Sequence, residues 1–107
     1  MKTIKAPAHL RPETAAWFRS VVKEFVLESH HVRLLTLAAT AWDRAEEARE
    51  AIAEHGLTFG DRWGGVHPRP EIAIEVSSRT GFARCLRELQ LDNVSPPESP
   101  RPAALKY

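Results

Sequence analysis

Apolar side chains recur at three- and four-residue spacing over three stretches of the chain, and glycine, proline and short polar runs mark the breaks between them. In the first stretch Phe18, Val21, Val22 and Phe25 gather on one side, with Trp17 at the edge of the arc. Pro12 suits a first helical turn, where a missing N–H costs nothing, so the pattern predicts a helix from Pro12 to about Val26. The second stretch has a wide arc of Leu34, Leu35, Leu37, Ala38, Ala41, Trp42, Ala45, Ala48 and Ile52. Thr36, Thr40, Asp43, Glu47, Glu50 and Glu54 lie opposite, a solvated acidic ridge. This predicts a helix from about His30 to His55, with Ser29 as N-cap and Gly56 as a left-handed C-cap. In the third stretch Ile72, Ile74, Val76, Phe82, Cys85, Leu86 and Leu89 follow Pro70, predicting a helix from near Glu71 to about Gln90. Gly81 falls inside it at about 1 kcal/mol relative to alanine, a cost that close approach of another helix would offset.

Between the second and third helices the period changes. Leu57-Thr58-Phe59 and Val66-His67 flank Gly60-Asp61-Arg62-Trp63-Gly64-Gly65, which is turn chemistry and predicts a β-hairpin over residues 57–67. Leu57, Phe59 and Val66 can pack inward with Arg62 and Trp63 at the tip. The segment reads first as a simple connector with Trp63 folded onto the helices, or else as a protruding finger that contacts a neighbour or a partner. Beyond Leu91 the run Ser95-Pro96-Pro97-Glu98-Ser99-Pro100-Arg101-Pro102 excludes helix. The organisation is one domain of mainly α class. A basic N-terminal arm (1–11) precedes a three-helix core with its hairpin (12–91), and a Pro-rich tail (92–107) follows.

Composition adds limits. The chain has 107 residues, 43% hydrophobic and 27% charged, ordinary for a small globular domain. No apolar run approaches the length of a membrane span, and residues 1–7 lack the apolar core of a secretory signal. Cys85 is alone, so it forms no internal disulfide and reads as a small buried apolar residue. The net charge of +1 conceals an asymmetry. Residues 1–23 hold Lys2, Lys5, Arg11, Arg19 and Lys23 against Glu13, whereas residues 24–60 hold seven acids against Arg33, Arg44 and Arg49.

Candidate chemistry is sparse. There is no Gly-x-x-x-x-Gly-Lys-Ser/Thr phosphate loop and no suggestion of a Ser-His-Asp or Cys-His set. His30 and His31 are adjacent, so on a helix they point about 100° apart and present no common ligand face. An enzyme, a cofactor and a metal site are therefore not expected. Binding is. The first-rank cations for DNA phosphates are Lys2, Lys5, Arg11, Arg19 and Lys23, with Arg62, Arg84 and Arg87 second. Arg19 and Lys23, four apart on one helix face, read equally as a solvated face or a phosphate-contacting ridge. The arc of the second helix is broad for so small a chain, which points to subunit contacts as well as a core. Trp42, Ala45, Ile52, Trp63, Arg79 and Phe82 are the candidate interface residues. Arg79 falls beside an apolar arc and needs an acidic or carbonyl partner, as at a subunit boundary.

Four strings carry a resemblance: Ser29-His30-His31-Val32-Arg33-Leu34-Leu35, Ala41-Trp42-Asp43-Arg44-Ala45, Glu54-His55-Gly56-Leu57-Thr58 and Leu86-Arg87-Glu88-Leu89-Gln90-Leu91. With the order helix, hairpin, proline, helix, they resemble the small terminase subunits of tailed phages and prophages, over roughly residues 9–92. Where that family commonly has an acidic residue at the start of the second helix, this chain reads Glu28-Ser29-His30-His31, so capping falls to Glu28 or Ser29. The resemblance implies a non-catalytic, ring-forming homo-oligomer in the cytoplasm of a bacterial host. It would bind double-stranded viral DNA and deliver it to the terminase large subunit, which holds the ATPase and nuclease. The competing classes are a small helical transcription regulator or antitoxin, which would be a dimer on a palindrome, and a purely structural interaction module without DNA affinity.

Overall fold

The computed structural model describes residues 3–90, so Lys2, Leu91 and the Pro-rich tail lie outside the described residues. Three helices and a short hairpin follow in the order α1 (Pro12–Glu24), α2 (Ser29–His55), β1 (Thr58–Gly60), β2 (Val66–Pro68) and α3 (Pro70–Leu89). The class is mainly α, with the hairpin between α2 and α3. No helix among the described residues is long and apolar enough to cross a membrane.

Local chemistry fixes the element ends. Pro12 opens α1 as the first helical residue, and the Ala15 N–H donates to the Arg11 carbonyl at 2.8 Å. Glu13 in the first turn and Lys23 in the last both suit the helix dipole. The helix stops at Glu24, two residues before the expected end. Phe25 is extended (φ −126°, ψ 146°), and from there the side chains alternate as in a strand. Phe25 and Leu27 pack on the core, whereas Val26 between them is 97% exposed.

The start of α2 corrects the expected cap. Ser29 is already helical and Glu28 is the N-cap. The His31 Nδ1 accepts the Glu28 backbone N–H at 3.1 Å, so the imidazole satisfies a donor that the helix leaves free. At the other end Gly56 has positive φ (87°) but ψ −179°, so it is not the left-handed helical cap expected, and it donates its N–H to the Ile52 carbonyl at 2.7 Å. Pro70 is the first residue of α3, one position earlier than expected, and Gln90 closes the helix in the left-handed region (φ 55°, ψ 38°).

α2 and α3 run antiparallel and make the most extensive pairing. Leu35 and Leu89 share the core at one end of the pair, Trp42 meets Phe82 in the middle, and Glu46 reaches Arg79 nearer the hairpin. α1 lies along the pair, its start bonded to Asp43 and Glu50 of α2 and its Phe18 and Val21 in the core with Leu35 and Leu89. Leu10, Phe18, Val21, Leu35, Ala39 and Leu89 form the buried cluster, with Phe18 and Leu35 wholly enclosed. Ala38, Ala45 and Ala48 are buried along α2 as well.

Three expectations fail here. Leu57, Phe59 and Val66 do not pack inward but are exposed, because a two-stranded ribbon standing beyond the helix ends has no layer to cover either face. Gly81 is not a point of close approach, since a Cβ there would meet nothing within 4 Å. Cys85 is only half-buried, on a helix whose one buried residue is Leu89.

Candidate nucleic-acid interface and an aromatic groove

The acidic ridge of α2 is largely neutralised from within the chain. Arg44 pairs with Glu47 at 3.2 Å and Arg49 with Glu46 at 3.0 Å, each one helical turn apart. The bond to Glu46 also stabilises the Arg49 charge and raises its pKa. Arg11 grips Glu50 with both ends of its fork, Nη2 to Oε1 at 2.7 Å and Nη1 to Oε2 at 3.1 Å. This bidentate bond raises the arginine pKa and holds the Glu50 carboxyl below its ordinary range.

Asp43, expected on the solvated face, is instead 5% exposed. Its Oδ2 accepts the Arg11 backbone N–H at 2.9 Å and its Oδ1 accepts the Thr14 hydroxyl at 2.5 Å. Arg11 is the N-cap of α1 and Thr14 lies in its first turn, so Asp43 satisfies donors at that helix start from across the core. The acid at this position ties α1 to α2.

These pairings sort the cations. Arg11 is committed to Glu50, and Arg79 donates to Glu75 at 2.9 Å with Glu46 at 3.8 Å. The carboxylates that Arg79 needs therefore come from its own chain and not from a neighbouring subunit. Lys5, Arg19, Lys23, Arg62, Arg84 and Arg87 are exposed, and none forms an ion pair or hydrogen bond to a carboxylate among the described residues. Arg33, near the start of α2, shares that state, although helical spacing offers no reason to single it out.

The hairpin is built around one carboxylate. Asp61 Oδ1 accepts the backbone N–H groups of Trp63 and Gly65, both at 2.8 Å, and Oδ2 lies 2.6 Å from His67 Nε2. The His67 bond, then those of Gly65 and Trp63, hold the Asp61 carboxyl below its ordinary range. Gly64 adopts φ 82°, and a Cβ on Gly65 would come within 2.8 Å of Asp61 Oδ2, so both glycines serve this turn. The Arg69 N–H donates to the Leu57 carbonyl at 2.9 Å and closes the base of the ribbon. At the tip the Arg62 guanidinium stands 5.6 Å from the centre of the Trp63 ring, which is 84% exposed.

Of the other candidate interface residues, Ala45 is 1% exposed and is closed off within its own chain. Ile52 is half-buried. Trp42 and Phe82 belong to a groove of about 240 Å³ lined by Glu13, Thr14, Trp17, Trp42 and Phe82. The Phe82 ring packs edge-on against both indoles, at 5.1 Å from Trp42 and 5.9 Å from Trp17. The sequence pattern places Trp17 at the edge of its arc. Its partners come from α2 and α3, so helical spacing alone gives no sign of the groove.

The carboxylates, imidazoles and thiol among the described residues assemble no cluster of three that could hold a metal ion. The chain matches no family model, curated protein or solved structure in comparisons with known proteins.

Proposed function

We propose that this protein is the small, non-catalytic subunit of a viral DNA-packaging machine. It binds double-stranded DNA as a homo-oligomer, delivers it to a large ATPase/nuclease subunit and regulates that subunit. The reading rests on the resemblance of its sequence strings and element order to small terminase subunits. One structural observation supports it most. The arginines nearest the α2 acids are consumed in ion pairs, while Arg19 and Lys23 on α1 stand exposed with no carboxylate partner among the described residues. Lys5 lies in the arm ahead of them. Such a surface offers phosphate contacts, and binding to it releases counterions.

The test is fluorescence anisotropy on a DNA duplex across a salt series, for wild type and Arg19→Glu with Lys23→Glu. The double variant should bind all sequences at least tenfold more weakly. Its slope of log affinity against log salt should flatten by roughly 0.9 for each phosphate no longer neutralised. Light scattering should show an unchanged mass, because both side chains lie off the apolar arc. Unchanged affinity and slope would move the DNA-binding surface to Arg62, Arg84 and Arg87.

A further inference from the structure

Two features of one protomer match each other and cannot meet within it. The first is the hairpin tip, a large indole almost fully in solvent beside a guanidinium that has no carboxylate partner among the described residues. The second is the groove of Trp17, Trp42 and Phe82, open to solvent, with Glu13 among the residues that line it. Glu13 is exposed and makes no ion pair among the described residues. Trp42 lies thirteen residues before the end of α2, a separation of about 20 Å along the helix. The hairpin begins only beyond that end. An intramolecular contact would need the ribbon to fold back along α2, and Asp61 and the Arg69–Leu57 bond hold it in place.

We propose that the Arg62–Trp63 tip of one copy of this chain docks into the Trp17–Trp42–Phe82 groove of the next copy. Trp63 would enter edge-on among the three rings, the arrangement that aromatic quadrupoles favour and that Phe82 already adopts with both indoles. Arg62 would then pair with Glu13, an exposed acid among the residues that line the groove. The charges fit in one sense only, cation on the hairpin and anion in the groove. The two patches are different surfaces, so the pairing is head-to-tail. Repeated, such pairings close into a ring or run on as a filament. One tryptophan buries on the order of 150–250 Å², far less than the roughly 1,200–2,000 Å² of a stable pairwise interface. Single joints should therefore be weak, and closure of the assembly should supply the rest. Leu57 and Val66 on the ribbon are exposed and give apolar surface for the flanks of the joint.

This inference rests on the oligomer in the proposed function and supplies its joint. The experiment is size-exclusion chromatography with light scattering on the full chain at tens of micromolar. Wild type should show a multiple of 12.0 kDa. Trp63→Ala, with an intact groove, and Glu13→Arg, with an intact hairpin, should each fall to 12.0 kDa. Both changes are at exposed positions and leave the core untouched. Mixed in equal amounts, the two variants can form one productive joint but cannot close or extend an assembly, so no species of the wild-type mass should appear. Arg62→Glu combined with Glu13→Arg should restore the wild-type mass. A monomeric wild type, an oligomer that survives Trp63→Ala, or a mixture that regains the wild-type mass would each overturn the proposal. DNA anisotropy in the same buffer separates the two readings. An oligomer that binds DNA but ignores Trp63→Ala refutes only the docking. An assembly that responds as described yet does not bind DNA refutes only the packaging role.

Discussion

Asp43 shows how much one side chain can carry in a domain of this size. It is buried, and it accepts from the Thr14 hydroxyl and the Arg11 backbone N–H. Removing it would strand two donors at the start of α1, and an orphaned buried donor costs about 1–3 kcal/mol. Asp43→Ala should therefore destabilise the chain by about 2–4 kcal/mol in urea unfolding, and a change within error of zero would show that water replaces the carboxylate. Gly81 makes the opposite case. A Cβ there meets nothing within 4 Å, so Gly81→Ala should raise stability by about 0.5–1 kcal/mol through helix propensity and a less flexible unfolded chain. Thermal unfolding would register this as an increase of a few degrees, and a decrease would reveal a neighbouring surface pressed against that position. Neither role is legible from pattern. Helical spacing puts Asp43 on the polar face, and only the fold brings Thr14 and Arg11 to it. A glycine in a helix signals either close approach or simple tolerance, and spacing does not distinguish them.

At the scale of elements, the helices are legible because their punctuation is explicit. Pro12, Gly56 and Pro70 stand at boundaries that the structure keeps within a residue. The end of α1 is not, since Phe25 and Leu27 satisfy a helical and an extended pattern equally well and only packing chooses between them. For the hairpin, the glycines and Asp61 give its place but not its faces. Inward and outward positions have meaning only against a layer, and strands of three residues standing beyond the helices have none. What organises the ribbon is polar instead. The Asp61 carboxyl is held below its ordinary range by His67, Gly65 and Trp63. A depressed folded pKa contributes stability that is complete above the unfolded value, about 3.9 for aspartate, and is lost as pH falls through the folded value. The turn should therefore stay closed through mildly acidic solution and open only below that range. Followed by the amide shifts of Trp63 and Gly65, the transition should have its midpoint below about 3.9. A midpoint above it would mean that the three bonds do not favour the charged form. Asp61→Asn should abolish the transition and loosen the tip while the helices persist.

At the scale of the whole molecule, the distribution of charge bears on why a nearly neutral chain would bind DNA at all. The net charge is +1, and among the described residues pairing leaves scattered cations free for phosphate. A monomer that neutralises only a few phosphates holds DNA weakly at physiological salt, because log affinity changes by only about 0.9 per phosphate for each tenfold change in salt. An assembly that presents the same ridge from every subunit turns later encounters into intramolecular ones, and avidity can then exceed single-site affinity by about 10²–10⁴. If the hairpin is the joint of that assembly, Trp63→Ala removes no cation and yet should weaken DNA binding by about a hundredfold or more. It should also flatten the salt dependence toward that of one protomer. Arg19→Glu with Lys23→Glu should weaken binding with the assembly intact, so the two variants reach a similar deficit by different routes. Anisotropy titrations paired with mass measurement at the same concentrations would separate them. If monomeric Trp63→Ala binds DNA as tightly as wild type, affinity resides in the protomer, and the free cations of α1 and α3 suffice without multiplication.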